Sequence, residues 1–157
     1  MIKENGLFKG NSYFYENIIF RIMSKFLSTK YSTAAFDAAT LLLRVISGVL
    51  MMNHGYGKLI HFAEYKEKFM NFMGMGQTFS LILVVFAEFF CALFVILGLF
   101  TRFAVIPIII GMCVALFKAH NGDFFGDGEV AALYIGAFIT LLFIGPGRIS
   151  VDRMFGK

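Results

Sequence analysis

The sequence predicts an all-α fold: an integral membrane four-helix bundle with an amphipathic interfacial helix between spans 1 and 2. Three observations carry this reading. Hydrophobic residues make up 59% of the 157-residue chain against 15% charged, with a mean hydropathy of +0.77. That excess falls in four long, nearly charge-free blocks rather than in short alternating runs. Only 2 prolines interrupt it. A water-soluble helical bundle needs a polar face on each helix, which these blocks lack, and so much apolar surface also excludes disorder.

Residues 1–33 are polar, with no apolar run and small-residue cleavage site after a basic start, and are expected to form a cytoplasmic tail rather than a signal peptide. Within them Tyr13 to Leu27 carries Phe14, Ile18, Ile22 and Phe26 on one face with Arg21 and Lys25 beside it. That pattern suits a helix lying on an anionic membrane surface, with a disordered overhang as the alternative. Met23 opens a second start, Met-Ser-Lys-Phe, so part of this tail depends on the choice of start site.

The first span is expected over Phe36 to Tyr56, the second over Thr78 to Phe100, the third over Phe103 to Ala119 and the fourth over Val130 to Gly147. A hydrocarbon core about 30 Å thick needs about 17 to 25 helical residues, so the last two spans sit near the short limit. A re-entrant segment is the alternative for one of them, but a small bundle has few neighbours to bury a partial span's backbone. Between spans 1 and 2, His61 to Met73 places Phe62, Tyr65, Phe69 and Phe72 at helical spacing, with Glu64, Lys66, Glu67 and Lys68 on other faces; this is the interfacial helix, ended by Gly74 and Gly76. Pro107 falls in the first turns of span 3, where a missing hydrogen bond costs little, and is expected to be structural. Residues 34–152 thus form the membrane domain and 153–157 a short cytoplasmic C-terminus.

Four spans put both termini on one side, with Lys3, Lys9, Arg21, Lys25, Lys30, Arg102, Arg148, Arg153 and Lys157; the other side has Lys58, Lys66, Lys68 and Lys118. This bias places the termini in the cytoplasm. The net charge of +4 is therefore topological, and no nucleic-acid partner is expected. Cys91 and Cys113 both lie inside apolar blocks without Cys-x-x-Cys spacing, and are expected to be packing residues.

Two ionisable residues lie deep in the blocks: Arg44 about eight residues into span 1 and Glu88 about ten residues into span 2. Counted at about 1.5 Å per residue they reach similar depths, so an intramembrane ion pair between Arg44 and Glu88 is expected, either fixing helix register or forming part of a ligand or proton pathway. Gly48, Met51, Gly55 and Lys58 fall within about 40° of Arg44 on a helical wheel, with His54 on the flank, giving span 1 one inward, partly polar face.

At the outer ends, His54 and Lys58 close span 1, Lys118 and His120 close span 3, and Glu129 opens span 4. Such a cluster at the mouth of a Phe- and Met-rich interior suits an amphipathic ligand, its head on Lys or His and its tail among the apolar side chains. For a quinone, a histidine is also a proton donor. Lysines and histidines that only anchor helix ends are the plainer alternative. A metal site is not expected, because the histidines lack i, i+4 spacing. No Ser-His-Asp arrangement, phosphate loop or nucleotide fingerprint stands out, so no catalytic residue is assigned. The candidate ligand-binding set is Arg44, His54, Lys58, Glu88, Lys118, His120 and Glu129.

The chain resembles the DoxX family through an ordered set of short motifs: Arg44-x-x-x-Gly48, Gly55-Tyr56-Gly57-Lys58-Leu59, the intramembrane Glu88, Leu97-Gly98-Leu99-Phe100-Thr101-Arg102, His120, and Gly145-Pro146-Gly147-Arg148-Ile149-Ser150-Val151-Asp152. The match runs from about Ala38 to Asp152. The resemblance implies a bacterial inner-membrane protein of four helices, in a family that includes the small subunit of a thiosulfate:quinone oxidoreductase and partners of membrane-linked oxidative-stress and thiol-redox systems. With no flavin or nicotinamide motif of its own, the chain is expected to be an accessory subunit rather than a self-sufficient enzyme, with quinone as the cofactor in view. A non-enzymatic carrier or receptor for a small amphipathic or anionic ligand, or a structural module, are the alternatives. Expected surroundings are the lipid bilayer, a redox partner protein and further copies of the chain.

Overall fold

The computed structural model describes residues 17–25 and 27–155. They are mostly helical with no β-strand among them, and they divide into two compact units, split between Ala35 and Phe36. In the first unit residues 17–25 are helical and exposed; Phe14 and Phe26 of the expected amphipathic face lie outside the described residues. Ser32 Oγ accepts a hydrogen bond from the Ala35 amide, satisfying one free donor at the start of the next helix.

Four principal helices follow: α1 (Thr33–Ile60), α2 (Gln77–Leu97), α3 (Thr101–Ala119) and α4 (Glu129–Ile144). The first three are long and apolar enough to cross a membrane, while α4 is apolar but 16 residues long. This is an all-α membrane protein. The expected spans coincide with these helices to within a few residues, α1 being extended by three residues at its start and four at its end.

The inward stripe of α1 is Thr40, Arg44, Ser47, Gly48, Met51 and Gly55, the 3-4 spacing of one helical face. Gly48 and Gly55 let α2 approach closely. A Cβ at Gly55 would lie 2.6 Å from the Glu88 carbonyl carbon and the Phe89 amide nitrogen, and one at Gly48 would lie 2.6 Å from Ile96 Cγ1. The core is built by Met51 of α1, Cys91, Ala92 and Val95 of α2, Val105, Ile108, Met112 and Leu116 of α3, and Phe138 and Leu141 of α4. Pro107 lies in the second turn of α3, one residue from buried Ile108.

The connector between α1 and α2 differs from expectation. Instead of one helix over His61 to Met73, the chain makes a single turn, Phe62–Tyr65, and then a 3-10 turn, Phe72–Gly74, in which Met73 is left-handed at φ 52°. The cause is tertiary. The Phe72 amide donates to Ser80 Oγ and the Gly76 amide to Asn71 Oδ1, so the backbone is tied to the start of α2 instead of closing helical turns. Phe69 and Phe72 are half-buried by this folding.

Candidate functional site

The middle of α2 departs from α-helical winding. Phe86–Cys91 forms a π-helical segment, whose wider turn buries Ala87, Glu88 and Cys91 while Phe86 and Phe90 stay exposed. A second π segment, Ala115–Ala119, ends α3. Both border one cavity of about 580 Å³. Its walls are α2 from Ser80 to Glu88 and α3 from Pro107 to Ala119, with Lys58 of α1, Phe69, Met70 and Phe72 of the connector, and His120. The lining is almost all carbon, with the polar groups confined to Lys58, Glu88, Ser80 and His120.

Lys58 Nζ donates to Glu88 Oε2 at 2.5 Å, forming a salt bridge on the cavity wall. The geometry follows from Gly55: contact between its backbone and that of Glu88 sets the two helices close, and Lys58 stands one turn further along α1. Ser80 is already engaged, its hydroxyl donating to the Gly76 carbonyl and accepting from the Phe72 amide. The His120 ring has no hydrogen-bond partner among the described residues and borders the cavity.

The expected Arg44–Glu88 ion pair is corrected by this arrangement. Glu88 is paired with Lys58, and the Arg44 guanidinium donates instead to the carbonyls of Pro146 and Ile149, at 2.6 and 2.7 Å. The reason is register. Gly55 sits at the level of Glu88 and Gly48 at that of Ala92 and Ile96, while a Cβ on Gly98 would collide with the Arg44 guanidinium. Arg44 precedes Gly55 by eleven residues, about 16 Å along the helix, and so lies at the opposite end of α2 from Glu88's partner.

Of the other candidates, His54 is exposed and meets Tyr134 of α4 edge to face at 5.9 Å; Lys118 and Glu129 are exposed; none of the three lines the cavity. Thus Lys58, Glu88 and His120 come together, and Arg44, His54, Lys118 and Glu129 do not join them. Cys91 and Cys113 are free thiols, and no group of three or more His, Cys, Asp or Glu side chains gathers among the described residues.

Arg44 belongs to a clasp at the other end of the bundle. Residues 145–152 leave α4 through Gly145 and Gly147, both at positive φ, and run beneath the first three helices. Asp152 accepts from the amides of Phe100 and Thr101, capping the start of α3, and its own amide donates to the Gly98 carbonyl. Asp37 of α1 accepts from the Arg148 amide and lies 3.6 Å from its guanidinium. Asp37 and Asp152 are not among the residues that sequence patterning marks as a site; the signal for them is a buried guanidinium that needs acceptors, and a Gly-Pro-Gly segment whose carbonyls no helix uses.

Comparison with known proteins agrees with this architecture. The DoxX family model matches residues 39–121. An inner membrane protein, YqjF, of Escherichia coli is 28% identical over 127 residues, covering 77% of this chain and 95% of its own length. An uncharacterized protein of Haemophilus influenzae is 30% identical over 122 residues, covering 73% and 89%. An uncharacterized membrane protein of Mycobacterium tuberculosis is 28% identical over 131 residues, covering 73% and 80%. No solved structure matches.

Proposed function

The chain belongs to the DoxX family, and on that premise we propose that it binds a membrane-dissolved amphipathic molecule, a quinone in the first instance, in the cavity between α2 and α3. The observation that carries this reading is the Lys58–Glu88 pair set in the wall of an apolar cavity. An ion pair kept only for register is best packed shut, because leftover lone pairs and N–H donors facing hydrocarbon are costly. Here the pair borders about 580 Å³ of space. Lys58 retains N–H donors for a carbonyl oxygen, His120 stands on the same cavity, and Phe69, Phe72 and Phe86 offer flat surfaces to a ring or an isoprenoid tail.

The role proposed is that of an accessory membrane subunit of a quinone-linked or thiol-redox oxidoreductase system. The sequence carries no flavin or nicotinamide fingerprint, so a partner polypeptide supplies that chemistry. The bias of basic residues and the inner-membrane relative support an inner-membrane location with cytoplasmic termini. Native mass spectrometry of the detergent-extracted complex tests the reading. A co-purifying quinone and a redox partner are expected. A redox-inert lipid in the cavity, with no partner, would favour the carrier or receptor role instead.

A further inference from the structure

We propose that the cavity selects an uncharged head that offers both a hydrogen-bond donor and an acceptor, such as a hydroxyl or hydroxy-carbonyl group on an apolar tail, and excludes anions. This rests on the reading that the cavity holds a ligand and narrows what that ligand is: of a quinone couple, the quinol, whose hydroxyls donate and accept, meets this demand, whereas the quinone's carbonyls only accept.

The argument is one of charge. Lys58 and Glu88 cancel each other. An anion docking on Lys58 would share one ammonium with Glu88, placing two negative groups within a few ångströms of each other inside carbon-lined walls, where repulsion is poorly screened. No second permanent cation stands by to take it. Arg44 is committed to Pro146 and Ile149, and Lys118 does not line the cavity.

A neutral head adds no charge, and the pair meets its needs at one point. Glu88 uses only Oε2 toward Lys58, leaving Oε1 as an acceptor, and the ammonium spends one of three N–H groups on that bond. Ser80 does not compete, since its hydroxyl already donates and accepts locally. A hydroxyl can therefore donate to Glu88 and accept from Lys58 at once.

Two photoreactive probes with the same diazirine-bearing decyl tail, one ending in a hydroxyl and the other in a sulfonate, test this on the full chain in phosphatidylcholine nanodiscs. The sulfonate keeps its charge at any working pH. Labelling is normalised to the membrane-partitioned probe, and labelled residues are located by peptide mass spectrometry. The expected result is that the hydroxyl probe labels the cavity segments around Phe69, Val84 and Val114 about tenfold more than the sulfonate probe. Equal or stronger labelling of those segments by the sulfonate overturns the neutral-head inference and leaves the cavity as a ligand site. Labelling of neither kind overturns both readings. In Glu88→Gln, where Lys58 is left uncompensated, the preference is expected to shift toward the sulfonate; an unchanged preference contradicts the role given to the pair. The wild-type comparison decides the question even where that variant fails to fold.

Discussion

Lys58 and Glu88, thirty residues apart in the chain, meet at 2.5 Å beside the point where Gly55 brings α1 against the backbone of α2. The two partners are unequally buried, the lysine side chain being 23% exposed and the glutamate 6%. That difference decides what happens when either is removed.

Lys58→Ala strands a carboxylate that cannot reach water, whereas Glu88→Ala frees a lysine whose flexible stem can lift its ammonium toward the rim. Lys58→Ala is expected to cost about 3 kcal/mol and Glu88→Ala about half that, and replacing both together by Met and Leu is expected to restore most of the loss. Thermal unfolding in detergent checks the order. A double variant as unstable as the sum of the single ones would contradict it.

The two α1 glycines give a second contrast. An added Cβ at Gly55 meets backbone atoms of Glu88 and Phe89, which cannot yield, while at Gly48 the nearest atom is the side-chain Cγ1 of Ile96. Gly55→Ala is expected to destabilise by about 2 to 3 kcal/mol, and Gly48→Ala by less than about 1 kcal/mol, because Ile96 can change rotamer. Equal melting temperatures for the two variants would show that the helices are not packed at this register.

Much of this was legible in the sequence, and the parts that were not share a cause. The apolar blocks gave the helices, and the small-residue stripe gave the inward face of α1, because both follow from local periodicity. The partner of Glu88 did not follow, since it depends on how far α1 slides along α2. Depth counted from the edge of each block treated Arg44 and Glu88 as neighbours, whereas α1 begins at Thr33 and the Gly55–Glu88 contact fixes a different offset. The connector departs from its helical spacing for a related reason: Phe62, Tyr65, Phe69 and Phe72 are spaced for a helix, but Phe69 and Phe72 line the cavity, a tertiary demand that local spacing does not encode.

The clasp makes a separable prediction. Arg44 forks onto two carbonyls, a geometry that a lysine's single ammonium does not reproduce. Arg44→Lys and Arg44→Met are both expected to cost roughly 2 to 4 kcal/mol and to raise amide hydrogen exchange across residues 145–152. Because Arg44 lies about 16 Å along α1 from Gly55, neither is expected to change probe labelling of the cavity in protein that remains folded. Protection of 145–152 that survives Arg44→Met would show that the guanidinium does not hold the segment.

The cavity itself is tested most directly at Gly111, which lines it on α3 and where an added Cβ meets nothing within 4 Å. Leucine there starts from a Cβ in open space, extends into the cavity and replaces a helical glycine, so stability is expected to hold or rise by up to about 1 kcal/mol. The decisive measurement is equilibrium binding of a radiolabelled decyl-chain quinol, kept reduced under anaerobic conditions, to wild-type and Gly111→Leu protein in nanodiscs, with melting temperatures alongside. Saturable binding that weakens about tenfold or more in Gly111→Leu, at an equal or higher melting temperature, is the predicted result. Absence of saturable binding to the wild type, or the same affinity in both proteins, would contradict the assignment of this cavity as the ligand site.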